Sequence, residues 1–131
     1  MLVEGRTVGE IGVGLCVLVG VAHGDGAGDA ERLARKIARL RVFPDDEGRF
    51  DRNVLAANGR VLAVSQFTLI AETAKGNRPS FGGAASPEEA EPLYERFCEA
   101  LAADGVQVAR GVFGASMQLE LVNDGPVTIV L

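Results

Sequence analysis

Val61-Leu62-Ala63-Val64-Ser65-Gln66-Phe67-Thr68 is the stretch on which the fold turns. It opens with four apolar residues that do not alternate with polar ones, the pattern of a strand covered on both faces, and a strand is expected over Val61 to Phe67. Polar side chains arrive only as the strand closes. Upstream, Leu15-Cys16-Val17-Leu18-Val19 repeats the apolar pattern and is expected to be a second strand buried on both faces. Between the two runs, His23 to Gly28 is a Gly-rich loop. Asp29 is positioned to cap a helix from Ala30 to about Arg41, with Leu33, Ile37 and Leu40 at helical spacing. The remaining stretch, Phe43 to Asn58, is expected to be irregular around the turn Pro44-Asp45-Asp46-Glu47-Gly48.

The ends of the chain extend this pattern. Leu2-Val3-Glu4, Gly5-Arg6 and Thr7 to Ile11 predict a hairpin with a Gly-containing turn. Thr73 to Ala85 is a loop of small residues. Ser86-Pro87-Glu88-Glu89 carries an N-cap, a proline at the first helical position and a capping-box Glu, and predicts a helix running to about Asp104 with Gly105 as its stop. Leu93, Phe97 and Leu101 form its apolar stripe, and Pro92 predicts a local distortion because it removes a bond to the Glu88 carbonyl. Val106 to Arg110, Ser116 to Val122 and Val127 to Val130 read as strands. The expectation is a mixed α/β fold: one curled or barrel-like mixed sheet with two helices, forming a single domain over residues 1–131.

At 47% apolar residues the chain can build a core without disulfides. Val13 to Ala22, the longest apolar stretch, is interrupted by Gly14 and Gly20 and is too short to span a bilayer, so no membrane partner is expected. The first residues lack the pattern of a secretory signal. Cys16 and Cys98 fall on faces expected to be buried, far apart in sequence, which fits free thiols in the cytoplasm. The net charge of −5 argues against a nucleic-acid partner when taken alone. Its distribution changes the reading. Glu31 to Arg60 holds eight basic and five acidic residues, whereas Ser86 to Asp104 holds one and six, so one basic face can still steer RNA.

Each candidate motif has a plain structural reading beside its functional one. Gly24-Asp25-Gly26-Ala27-Gly28 sits where a dinucleotide loop would, but its glycine spacing is wrong and Asp25 and Asp29 would repel a pyrophosphate, so a flexible turn accounts for it better. His23 is the only histidine and neither cysteine has a visible base, which leaves no standard triad and no zinc set; no metal or cofactor is expected. Arg32, Arg35, Lys36 and Arg39 form either a solvated helix face or an RNA-backbone contact. The Glu88, Glu91, Glu95 and Glu99 face reads as solvation. Ser65, Gln66, Phe67 and Thr68 close an apolar strand at the kind of place where sites are built. Lys75 and Arg78, in Lys75-Gly76-Asn77-Arg78-Pro79-Ser80-Phe81, belong to a plain loop or contact phosphate or ribose. Asn123-Asp124-Gly125-Pro126 reads as a hairpin turn from its grammar alone, although glycine there permits close approach of a ligand.

Together these segments resemble the D-aminoacyl-tRNA deacylase family. The matching pieces are Gly20-Val21-Ala22-His23-Gly24-Asp25, Ala34-Arg35-Lys36-Ile37, Leu40-Arg41-Val42-Phe43, Ser65-Gln66-Phe67-Thr68-Leu69, Lys75 to Phe81, Phe113-Gly114-Ala115-Ser116-Met117 and Asn123-Asp124-Gly125-Pro126-Val127-Thr128. They follow the family's order over nearly the whole chain, and the pairing of S-Q-F-T with N-x-G-P-V-T is the specific part.

The resemblance implies a homodimer that cleaves the ester between a D-amino acid, or mischarged glycine, and the terminal adenosine of tRNA, with no DNA partner. It implies that the adenosine binds near Ser65 to Thr68, that Phe113 and Met117 wall the adenine, and that Gly125-Pro126, in cis, reaches into the partner copy and leaves no room for an L side chain. The family also carries a first strand, containing an arginine, ahead of the hairpin at Leu2 to Ile11, and that strand is expected to be missing here. Thr68 has no base beside it, so backbone N–H groups near Phe67 and Thr68 and the substrate's 2′-hydroxyl are the expected catalytic tools. The alternatives are a non-catalytic tRNA-binding dimer, a cousin with a trans Gly-Pro that edits L-aminoacyl-tRNA, and an editing domain appended to a synthetase.

Overall fold

The computed structural model describes residues 1–131 and runs β1 (Leu2–Val3), β2 (Arg6–Thr7), β3 (Gly14–Val19), α1 (Ala27–Arg39), β4 (Phe43–Pro44), β5 (Phe50–Arg52), β6 (Arg60–Ser65), a 3-10 turn at Phe67–Leu69, α2 (Pro87–Ala103) and β7 (Val108–Arg110). Three strands form a parallel sheet in the order β3-β6-β7, with Leu15 beside Val61 and Ala63 beside Arg110. Parallel neighbours need crossovers, and right-handed crossovers stepping in one direction lay both helices on one face. There α1 and α2 pack together over Val61 and Ala63, which point into a core with Ile37, Phe97 and Leu101. Leu62 and Val64 point to the opposite face, where Ile11, Met117 and Leu119 cover them. Val61 to Val64, the four central residues of β6, are all buried, each of the larger ones contributing about 1.5–3 kcal/mol.

One buried polar contact locks the helix layer to this strand. The Tyr94 hydroxyl on α2 donates to the Ala63 carbonyl at 2.7 Å, and the same oxygen accepts the Gly111 N–H at 3.2 Å. Burial, reinforced by Cys98, pushes the Tyr94 phenol far above its ordinary value, so it remains a donor.

The mixed α/β class with two helices is observed, with the strands distributed differently. They lie in three small open sheets, the parallel one and the antiparallel pairs β1-β2 and β4-β5, and no barrel closes. The stretch expected to be irregular contains the β4-β5 hairpin. β6 stops at Ser65, so Phe67 and Thr68 belong to the 3-10 turn and not to the strand. β3 is an edge strand. Its Leu15, Val17 and Val19 pack inward, but Cys16 and Leu18 are exposed, because the face opposite the helices is covered only over β6 and β7. The first hairpin turns at Glu4-Gly5, whose φ angles of 50° and 77° suit a primed two-residue turn.

The helix ends also differ from expectation. α1 begins three residues before Ala30, with Gly26 as its N-cap; Asp29 sits inside the first turn and accepts the Gly26 N–H at 2.9 Å, which holds its carboxyl below the ordinary value. Ser86 precedes α2 but makes no side-chain cap; its carbonyl accepts the Glu89 and Ala90 N–H groups. α2 runs unbroken through the exposed Pro92, and the carbonyl released at Glu88 lies in an exposed turn where water can reach it. Gly105, at φ 90°, ends the helix as expected.

Ser116 to Val122 and Val127 to Val130 do not form strands. Gln118 pairs with Leu2 in both directions, at 2.8 and 2.9 Å, and residues 119–131 then make no hydrogen bond to the rest of the chain. A strand needs a partner for its N–H and C=O groups, and this segment meets none within the molecule. No helix is long and apolar enough to cross a membrane.

Tyr94→Phe is expected to cost about 1–2 kcal/mol, since the Ala63 carbonyl keeps Gly111 as a donor while the buried bond is lost. The urea midpoint at constant m-value reads this, and an unchanged midpoint would remove Tyr94 as a lock.

Candidate active site

Parallel strands deliver their following loops to one edge, and ligands of open α/β sheets bind there. Here Gly20, Gln66 and Gly111 leave β3, β6 and β7 side by side. The Gln66 N–H donates to the Val19 carbonyl at 2.8 Å and prolongs the ladder by one residue. The chain then tightens into the 3-10 turn, closed by Leu69 N–H to Gln66 and Ile70 N–H to Phe67 at 3.2 and 3.0 Å. The N–H groups of Phe67 and Thr68, first in this turn, donate to no atom of the chain and lie at exposed residues. Gly20 supports the turn from behind: a Cβ there would stand 3.1 Å from Leu69 Cβ and 3.3 Å from Ile70.

Side chains complete the edge. Gln66 Nε2 donates to Thr68 Oγ1 at 2.6 Å, and no His, Asp, Glu or Lys side chain bonds to that hydroxyl. His23 is exposed in the turn after β3, its Nδ1 3.8 Å from a Glu89 carboxylate oxygen. Phe67 is exposed and meets Phe81 edge to face, ring centroids 5.2 Å apart. Phe113 is half-buried, edge-on to Tyr94 at 6.2 Å on the helix side of β7. Met117 packs on the other side with Leu62 and Val64, its sulfur 3.3 Å from the Val112 nitrogen. Phe113 and Met117 thus flank the carboxyl end of β7 from the sheet's two faces.

The Gly24 to Gly28 loop is already satisfied internally. Asp25 accepts the Ala22 N–H at 2.8 Å and Asp29 the Gly26 N–H, so carboxylates of the chain occupy the positions a phosphate would need. Lys75 and Arg78 are exposed without a carboxylate partner on a loop closed at its base by mutual Glu72–Ser80 backbone bonds of 2.7 and 2.9 Å. Phe81, just past that base, ties the loop to Phe67.

Gly125-Pro126 stands apart. Its peptide is cis, and the turn is braced by Asn123, whose Oδ1 accepts the Val127 N–H at 3.1 Å and whose Nδ2 donates to Thr128 Oγ1 at 3.0 Å. The turn is exposed, and no hydrogen bond brings it to Ser65–Thr68 of the same chain. The sequence reading does not include Tyr94, and it includes Gly20 and Asn123 only within longer motifs, without the roles the structure gives them. A glycine directly after a buried strand was the available signal for Gly20, and an Asx residue opening a turn was the signal for Asn123.

The fold is an open parallel α/β sheet whose carboxyl edge gathers the candidate site, where the Thr68 hydroxyl is bonded only by Gln66. The chain belongs to the D-Tyr-tRNA(Tyr) deacylase family, whose model matches residues 1–131. It is 56% identical over 129 residues to a D-aminoacyl-tRNA deacylase of Deinococcus radiodurans, covering 98% of this chain and 89% of that one. It is 56% identical over 131 residues to the D-aminoacyl-tRNA deacylase of Dehalococcoides mccartyi strain 195, covering 100% and 86%. Among solved structures it is similar to the c-Myc DNA unwinding element binding protein, with a TM-score of 0.90, 41% identity and coverage of 98% and 87%. A structure described as a probable eukaryotic D-amino acid tRNA deacylase shares the fold at a TM-score of 0.70 and 16% identity, with coverage of 81% and 77%.

Phe81→Ala removes an edge contact of about 0.5–1.5 kcal/mol between loop and turn. Trypsin is expected to cleave after Lys75 several-fold faster in this variant, and an equal rate would show that the loop is held only at Glu72 and Ser80.

Proposed function

We propose that this enzyme hydrolyses the ester between a D-amino acid, or glycine, and the terminal adenosine of tRNA. In this reading it acts as a homodimer in the cytoplasm and draws on no metal or cofactor. The observation that carries the proposal is the free N–H pair of Phe67 and Thr68 at the end of β6. Two neighbouring donors without internal partners suit the oxyanion that forms when water attacks an ester carbonyl. An aminoacyl ester is already activated, so a site without a side-chain base is sufficient. Water adds to the carbonyl carbon, the bond to the ribose oxygen breaks, and the water proton passes to that oxygen with the neighbouring 2′-hydroxyl as relay.

Thr68 acts as scaffold in this reading. Its oxygen accepts from Gln66, so a lone pair is engaged, and its hydroxyl proton remains free to donate to substrate. Ser65 and Gln66 hold the strand end, Phe113 and Met117 wall the adenine, and Lys75 and Arg78 meet phosphate. Gly125-Pro126, exposed and braced by Asn123, enters the partner copy's edge. Its carbonyls hold the amino group, and its backbone occupies the volume an L side chain would need, which gives selectivity by exclusion.

Incubation with D-Tyr-tRNA and L-Tyr-tRNA tests the reading. Release from the D form alone is expected; release from the L form would sink the exclusion argument, and release from neither would leave a tRNA-binding protein. Thr68→Ala is expected to stay within about tenfold of full activity, whereas loss of an oxyanion donor costs ~10²–10³. Near-complete loss in a well-folded Thr68→Ala would make Thr68 the nucleophile. Gly20→Val, which drives a side chain into Leu69 and Ile70, is expected to lower kcat about 10²-fold through the displaced turn.

A further inference from the structure

Ion pairing sorts the cations of this chain. Arg32 is held by Asp29, Arg41 by Asp51, Arg49 by Asp45 and Glu47, Arg52 by Asp46, Arg96 by Glu31 and Glu99, and Arg110 by Glu95. Every acidic residue between positions 31 and 60 is engaged in this way. Of the 13 lysines and arginines, three without a carboxylate partner fall together: Arg35, Lys36 and Arg39, all exposed on α1. At about 100° per residue they share one face of the helix, opposite the buried Ala34, Ile37 and Ala38.

The helix is also well placed. Its first turn begins beside the site, where Gly26 and Asp29 line one small cavity with Val19 and Gly20, and Gly20 abuts the 3-10 turn. From there α1 runs back along the layer, so the free cations lie about 12–18 Å from its start. The neighbouring α2 exposes Glu88 and Glu91 without cationic partners. A polyanion leaving the site is therefore drawn along α1 and repelled from α2.

We infer that the outer face of α1, carried by Arg35, Lys36 and Arg39, is the track for the phosphate backbone of the RNA duplex whose 3′ end enters the site. The inference rests on the deacylase reading and deepens it by placing the body of the substrate. Phosphate contacts position a nucleic acid and govern its salt dependence without touching the chemistry.

The test compares Arg35→Gln/Arg39→Gln with Arg6→Gln/Arg60→Gln, which removes the same charge from other exposed sites. Binding of fluorescent uncharged tRNA is followed by anisotropy between about 50 and 200 mM salt. Hydrolysis of D-Tyr-tRNA and of the D-tyrosyl ester of adenosine is measured alongside. The α1 pair is expected to weaken tRNA binding about tenfold and flatten the slope of log Kd against log salt by about two. It should raise KM for D-Tyr-tRNA with kcat unchanged and leave the adenosine ester untouched, while the other pair stays within about twofold of the unaltered protein. Equal losses in both pairs, or none in the α1 pair, would overturn the track. If the unaltered protein hydrolysed neither substrate, the deacylase reading would fail instead, and the anisotropy comparison would still decide whether α1 carries the RNA.

Discussion

Burial of β6 on both faces is the constraint on which the remaining structure depends. Val61 and Ala63 face the helices, Leu62 and Val64 face the opposite side, and none can be exchanged for a polar residue without leaving it unsolvated. Polar groups are thereby confined to the strand's end, where the ladder has just finished and the Phe67 and Thr68 N–H groups have no partner within the chain. The Tyr94–Ala63 bond fixes α2 at the last helix-facing apolar residue before that end, and Gly20 fixes the other flank by having no side chain. The 3-10 turn lies between these two supports.

The groups whose ionisation is displaced, such as Tyr94, Cys98 and Arg110, lie in the packing beneath the edge, where burial and neighbouring charges act on them. In the proposed reading, discrimination comes from shape. The Asn123-braced turn is exposed and makes no hydrogen bond to the rest of its own chain, which suits a part that fits into another copy.

How much of this could be read in the sequence follows from the range of each interaction. The apolar runs of β3 and β6 and the stripe of Phe97 and Leu101 are local patterns, and they gave the mixed α/β class directly. The order β3-β6-β7 depends on pairing between distant segments, which no local pattern contains. Cys16 and Leu18 look buried as letters and are exposed because β3 lies at an edge. The apolar letters from Ser116 to Val130 describe strands, but a strand exists only beside a partner. α1 starts at Ala27 because Gly26 can cap through its backbone, while Asp29, the stronger capping letter, acts from inside the first turn.

The site was legible to a similar degree. The switch from apolar to polar at Ser65 marks the carboxyl end of β6, where the structure places the 3-10 turn, and the lack of any base near Thr68 agrees with a hydroxyl bonded only to Gln66. Hidden from the sequence were the contacts that aim the turn: Gly20 against Leu69 and Ile70, Phe67 against Phe81, and the Asn123 brace.

The central claim is that one working site takes its strand end from one copy and its Gly125-Pro126 turn from the other. Co-expressing Gly20→Val with Gly125→Ala, whose added Cβ would meet Val127 at 2.9 Å, tests it most directly, because each variant spoils one half of the site. Each alone should be nearly inactive, and the mixture should recover about a quarter of the unaltered rate on D-Tyr-tRNA, since half the dimers hold one intact site of two. A mixture no more active than its components would contradict the account.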